Sequence, residues 1–305
     1  MTSERWPALP FEEWKDTYAT LHRWTQIVGK TRMALTPPLN HWWHATLYVS
    51  ARGLTTSLIE TDALGFEVEF DFVNHVLDIR TSKDTGAQIP LKPQSVADFY
   101  NQYAGAMRRL GIPFSIHPTP NEVPDATPFP EDRAHASYDP EYANRLWRIL
   151  FSAEEVFREF RGRFLGKSSP VHFFWGSFDS AVTRFSGRRA PVFSGAVMNC
   201  PSYVMLEAYS HEVSSGGFWP GTVGMLEEPA FYSYCYPEPP GFPKAAVKPS
   251  AAYYHDVMHE FVLPYEKMRS LPNPEAALMD FLQSTYEAGA NLGGWDRAAL
   301  ERVQA

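Results

Sequence analysis

An α+β fold, with antiparallel sheets flanked by helices, is what this sequence predicts, on three observations. Segments with apolar residues at three- and four-residue steps are interspersed with short segments in which apolar and polar side chains alternate. Between two of the latter, 66–73 and 76–79, lies Asn74-His75, a two-residue turn of the kind that joins antiparallel neighbours. The order also repeats: each half runs helix, aromatic strand, acidic strand and turn, further strand, helix. Two pseudo-symmetric helix-strand-strand-strand-helix halves follow. One closed or strongly curved α+β fold without symmetry is the alternative.

The elements are read in order. Over 11–29, Trp14, Tyr18, Leu21, Trp24, Ile27 and Val28 make one helical face, and Glu12 and Glu13 suit the positive N-terminal end. Thr36-Pro37-Pro38 stops it. Residues 41–50, around Trp42 and Trp43, read as a strand. In 66–73, Phe66, Val68, Phe70 and Phe72 alternate with Glu67, Glu69 and Asp71. A helix over 95–110 is capped by Ser95, with Asp98 completing a capping box, and ends at Gly111-Ile112-Pro113. Six prolines fall in 117–140, which marks the boundary: an N-terminal half 1–125, a Pro-rich linker 126–140 and a C-terminal half 141–305. Asp139-Pro140 starts a helix to Gly162. Strands at 171–185, 203–211 and 230–236, a helix from Ala251 broken at Pro264, and a helix at 274–288 complete the chain. The internal match places His41–Leu47 over His172–Phe178 (172 − 41 = 131) and Asp71–His75 over Glu207–His211 (207 − 71 = 136).

With 305 residues there is ample core for one large or two ordinary domains. A net charge of −8 without a long basic run argues against nucleic acid or an anionic membrane as partner. Arg158, Arg161, Arg163 and Lys167 read as charges offsetting a helix dipole. No apolar run is long enough to span a bilayer, the start has no signal core, and Cys200 and Cys235 have no metal-type spacing. A cytoplasmic protein with two free thiols is expected. Aromatic residues at 15% and 26 prolines point to a rigid, ring-lined interior.

The chemistry concentrates in Pro170–Asp179 and Glu207–Glu212. On a regular strand His172, Phe174, Gly176 and Phe178 share one face, and Phe173, Trp175, Ser177 and Asp179 the other. Glu207, Tyr209 and His211 align if the next segment is also a strand. His211 is then a general acid/base, oriented by Glu207 or Glu212, with Tyr209 donating to substrate. Trp175 and Trp219 wall a pocket, and Asp179, Arg184 and His172 complete the substrate-binding set; Asp179 with Arg184 is either a structural pair or a clamp for a carboxylate. A divalent metal held by His172, His211 and Glu207 is the alternative. The cofactor is otherwise unassigned. His41 with His44, and His255 with His259 on the helix from Ala251, are better read as packing and a solvated face than as metal sites. Ser214–Gly221 reads as a mobile loop, and it lacks the phosphate-binding glycine patterns.

Leu39–His44, Pro170–Asp179, Glu207–Ser215 and Phe281–Glu287 together resemble a bacterial family of unknown function, numbered 5996, which includes relatives of an Anabaena plasmid protein. The resemblance covers nearly the whole chain, implies a soluble bacterial protein, and brings no mechanism. The residues themselves point to an enzyme acting on a small organic molecule in an aromatic pocket. The alternatives are a non-catalytic binding protein for an apolar or aromatic ligand, and a protein that homodimerises through exposed aromatics.

Overall fold

In a computed structural model, which describes residues 5–222 and 224–302, the chain builds two six-stranded antiparallel sheets with helices packed on them. Helix α1 (Phe11–Leu35) ends where the Thr36 N–H and hydroxyl both bond the Arg32 carbonyl, just before Pro37-Pro38. It outruns its predicted end, and every residue from Thr20 to Arg32 is buried rather than one face alone. The reason is the proline-rich segment, which lies along its polar side. Arg23 Nε meets Asp132 Oδ2 at 3.1 Å, Gln26 exchanges hydrogen bonds with the Asn121 backbone, and Lys30 Nζ donates to the Thr119 carbonyl at 2.8 Å.

The first sheet holds β1 (Tyr48–Val49), β2 (Gly53–Thr55), β3 (Ile59–Glu60), β4 (Gly65–Asp71), β5 (Val76–Thr81) and β6 (Gly86–Pro90) in the order β1-β2-β4-β5-β6, with β3 on β4. The predicted hairpin is there: β4 pairs with β5 from Phe66↔Thr81 to Asp71↔Val76. Phe66, Val68 and Phe70 enter the core, while Glu67, Glu69 and Asp71 take the other face. Helix α2 (Val96–Arg109) starts as expected, with Ser95 Oγ accepting from the Asp98 N–H at 3.1 Å.

In the second half α3 (Pro140–Gly162) is capped by Asp139 and carries Pro140 at its first turn. The sheet contains β7 (His172–Phe174), β8 (Asp179–Arg189), β9 (His211–Trp219), β10 (Ala230–Tyr236), β11 (Tyr253–His255) and β12 (Glu260–Pro264), in the order β11-β12-β10-β9-β8-β7. Between β8 and β9 lies α4 (Ser202–Ala208); α5 (Tyr265–Arg269), α6 (Pro274–Leu292) and α7 (Arg297–Leu300) follow β12. Leu47 and Phe173 exchange backbone bonds of 2.9 and 2.8 Å, so the two sheets meet at the edge strands β1 and β7. Among the described residues no helix is long and apolar enough to cross a membrane.

Five expectations are corrected. Residues 41–50 are not one strand: Asn40–Trp42 forms a 3-10 turn with His41 and Trp42 at φ 57° and 62°, and this lets His41, Trp42 and Trp43 point to the same side. Segment 171–185 is a hairpin turning at 175–178, and segment 203–211 is α4 plus the first residue of β9. Met205, Leu206, Glu207 and Ala208 are good helix formers, and they outweigh the strand reading there. The helix from Ala251 is the β11–β12 hairpin, because Phe261, Val262 and Leu263 are buried on both faces of the sheet and show no alternation. Ser214–Gly221 is no mobile loop either; most of it is central strand β9. The aligned segments therefore differ in structure, since His41–Trp42 is a turn and His172–Phe174 a strand. The strand orders differ too: β3 lies off the path of the first sheet, whereas in the second β12 stands between β10 and β11 and α4 interrupts the run between β8 and β9.

Candidate functional site

Strand register decides which side chains of the second sheet meet. Phe174 pairs with Asp179, Ala181 with Gly217 and Gly217 with Tyr232; Thr183 pairs with Ser215 and Ser215 with Tyr234. Directly paired residues share a face, so all of these look to one side. Arg184, Phe218 and Phe231 take the other side, toward the core under α3 and α6. On the first side lies a chamber of about 580 Å³, in the range of small-molecule sites. The sheet is its floor. The turn bearing His41, Trp42 and Trp43 makes one wall, and Lys30 of α1 with Asn121 and Glu122 of the proline-rich segment makes another. Residues 199–201 and α4 cover it, with Tyr203, Val204, Met205 and Ala208 on the chamber.

Two glycines make room for the rings. A Cβ at Gly217 would strike the Tyr232 ring and the Ser180 carbonyl, so glycine lets Tyr232 lie across β9 and donate its hydroxyl to Asp179 Oδ2. A Cβ at Gly29 would strike the Trp175 indole, whose Nε1 donates to the Ala45 carbonyl at 2.6 Å.

The electrostatics of this space are unusual. Burial pushes the Asp179 carboxyl up to about 7; the Tyr232 hydrogen bond opposes the rise and Glu122 adds to it. Burial also raises Glu122, against a 2.7 Å hydrogen bond from Ser177 Oγ. Glu260, at the start of β12, is raised to about 8 by burial and then by Asp179. Burial lowers the Lys30 ammonium to about 8; its Nζ also donates to Asn121 Oδ1 at 2.6 Å. The Tyr209 and Tyr234 hydroxyls bond each other at 3.0 Å, as do Thr183 and Ser215 at 2.9 Å. Burial raises the Cys200 thiol to about 11.

Of the residues read from sequence, Trp175, Asp179 and Tyr209 line the chamber. The turn at 175–178 reverses the chain, which puts Asp179 on the face of His172 and Phe174 rather than opposite them. His172 is buried behind Trp43, with ring centroids 5.6 Å apart, and burial lowers it to about 3. The others lie elsewhere. Glu207 is exposed on α4, so the row Glu207, Tyr209, His211 does not form. His211 begins β9, with Nδ1 3.0 Å from Ser210 Oγ and its ring 5.8 Å from that of His41. Glu212 faces away from the chamber and pairs with Arg188 at 2.7 Å. Arg184 and Asp179 are five residues apart on one strand and therefore lie on opposite faces, so the expected pair is absent. The Arg184 guanidinium sits 3.4 Å over the Phe160 ring. Trp219 donates to the Ser177 carbonyl at 3.1 Å and packs against Leu226, Ala230 and Val262. The alternative metal set His172, His211 and Glu207 is not brought together, and among the described residues no three His, Cys, Asp or Glu are placed to hold an ion. His255 and His259 sit on the β11–β12 hairpin.

Sequence reading missed Tyr232, Tyr234, Lys30 and Glu122. The tyrosines left a signal, a two-residue repeat in a strand opposite Gly217. Lys30 and Glu122 left none, because α1 and a proline-rich coil come together only in the fold. No curated protein and no solved structure matches the chain. One protein family does, described as a family of unknown function (DUF5996), and it matches residues 6–302. The chain belongs to that family.

Proposed function

We propose that the chamber takes up a small, ring-bearing organic molecule and that Asp179, held by Tyr232, exchanges a proton with it. The observation that carries this is the carboxyl itself, 7% exposed and hydrogen-bonded by a phenol, on the floor of an aromatic chamber. A carboxyl titrating at about 7 both gives and takes a proton near neutrality. The acid–base group read from sequence was His211 with Glu207 or Glu212; Asp179 replaces it because it faces the cavity.

Covalent catalysis has less support. Burial disfavours the Cys200 thiolate, and the Thr183 and Ser215 hydroxyls satisfy each other. That pairing favours, as second reading, a binding protein without turnover. The test is a thermal-shift and saturation-transfer NMR screen with ring-bearing metabolites. Bound compounds should raise Tm, and Trp43→Leu should weaken them about tenfold through lost ring contact. A screen without binders, or binders indifferent to Trp43→Leu, contradicts the proposal. Consumption of a bound compound by wild type but not by Asp179→Asn separates enzyme from binder.

A further inference from the structure

We propose that the molecule taken up is an organic cation, a protonated amine carried on a ring system, with its charge at Asp179 and Glu122 and its ring against Trp43 and Trp175. This rests on the chamber being a ligand site and adds the charge of the ligand.

The first support is a comparison within the chain. Among the described residues the four least exposed acids are Glu69, Asp71, Asp132 and Asp179. Glu69 meets Arg80 at 2.9 Å, Asp71 meets Arg52 at 2.6 Å, and Asp132 meets Arg23 at 3.1 Å. Asp179 has the Tyr232 hydroxyl instead, and it opens onto the chamber. A carboxylate taken out of water needs a positive partner, so the partner that the fold supplies three times is left at the fourth position for the ligand. Glu122 stands at the same end: Ser177, two residues before Asp179, bonds its Oε2, and a Cβ at Gly176 would strike its Oε1. The cation that lines the chamber, Lys30, has its ammonium directed to Thr119 and Asn121. The second support does not rest on the carboxyls. Indole and phenyl faces attract a cation that has shed its water, and Trp43, Trp175 and Phe174 line the same cavity.

The test compares three probes of one shape at pH 8 by calorimetry: tryptamine (cationic), tryptophol (neutral) and indole-3-propionate (anionic). Tryptamine should bind about tenfold more tightly than tryptophol, and the anion weakest. In Asp179→Asn, a near-isosteric change to a neutral group, the preference for tryptamine over tryptophol should shrink about threefold or more, and a preference equal to that of wild type overturns the inference. Equal binding of tryptamine and tryptophol by wild type overturns the cation inference and leaves the ring-binding chamber standing. Tightest binding of the anion overturns it in favour of Lys30 as anchor. Binding of none of the three, with a folded protein by circular dichroism, overturns the cation inference; a blank metabolite screen as well removes the ring-binding reading.

Discussion

The exposed face of the first sheet and the chamber face of the second are both rich in acids, yet they treat them in opposite ways. On the first, Glu67, Glu69 and Asp78 surround Arg80 at 3.6, 2.9 and 3.0 Å, and Asp71 holds Arg52 at 2.6 Å. The register that pairs Glu67 with Arg80 across β4 and β5 makes this network self-sufficient. On the second, Asp179 has a phenol, Glu122 a serine hydroxyl, and a cavity lies over both. Acids that the fold has neutralised with its own cations are structure. Acids left with neutral partners around a void are where chemistry from outside is expected.

The contrast can be broken hardest at Gly217. Gly217→Ala forces a methyl into the Tyr232 ring and the Ser180 carbonyl, and should cost about 3 kcal/mol in urea unfolding while parting Tyr232 from Asp179. Next comes Asp179→Asn, which should stabilise. The unfolded aspartate releases its proton near 3.8 and the folded one near 7, so wild-type stability falls as pH rises between those values. The variant escapes that loss and should gain about 1–4 kcal/mol over wild type at pH 8, with little difference at pH 3.5. An equal or lower Tm at pH 8 counts against the uncompensated carboxyl.

On the other sheet the same change has the opposite sign. Burial opposes ionisation of Asp71, but the Arg52 side chain and the N–H groups of Asn74 and Val73 outweigh it and hold the carboxyl below 3.8. Its stabilisation is present above that value and lost as pH falls through the folded one. Asp71→Asn should therefore cost about 1–2 kcal/mol at neutral pH, measured by the same unfolding assay. Arg80→Ala should have the smallest effect, under about 1 kcal/mol and fading in 1 M salt, because half of its side chain is in solvent.

Much of the first half was legible because its signals are local. The alternation of Phe66–Phe72 with Glu67–Asp71 fixes both faces of β4, and Ser95 and Asp139 cap their helices as read. The chamber was legible in part. Trp175, Asp179 and Tyr209 stand out in the aromatic and acidic segments 170–179 and 207–212, but the row of Glu207, Tyr209 and His211 does not form, since α4 takes the place of the strand it needs. The opposite facing of Asp179 and Arg184 followed from their odd spacing and was open to reading. Lys30 and Glu122 were not, because their meeting depends on Gln26 and Arg23 gripping a distant coil.

The titration of Asp179 tests the account most directly. In protein labelled with 13C at the aspartate carboxyl, NMR should show a resonance titrating near pH 7 that is missing from Asp179→Asn and moves to lower pH when tryptamine binds. An Asp179 resonance titrating at or below the ordinary value of 3.8 would mean that the fold already supplies its countercharge, and would contradict both the acid–base and the cation-binding readings.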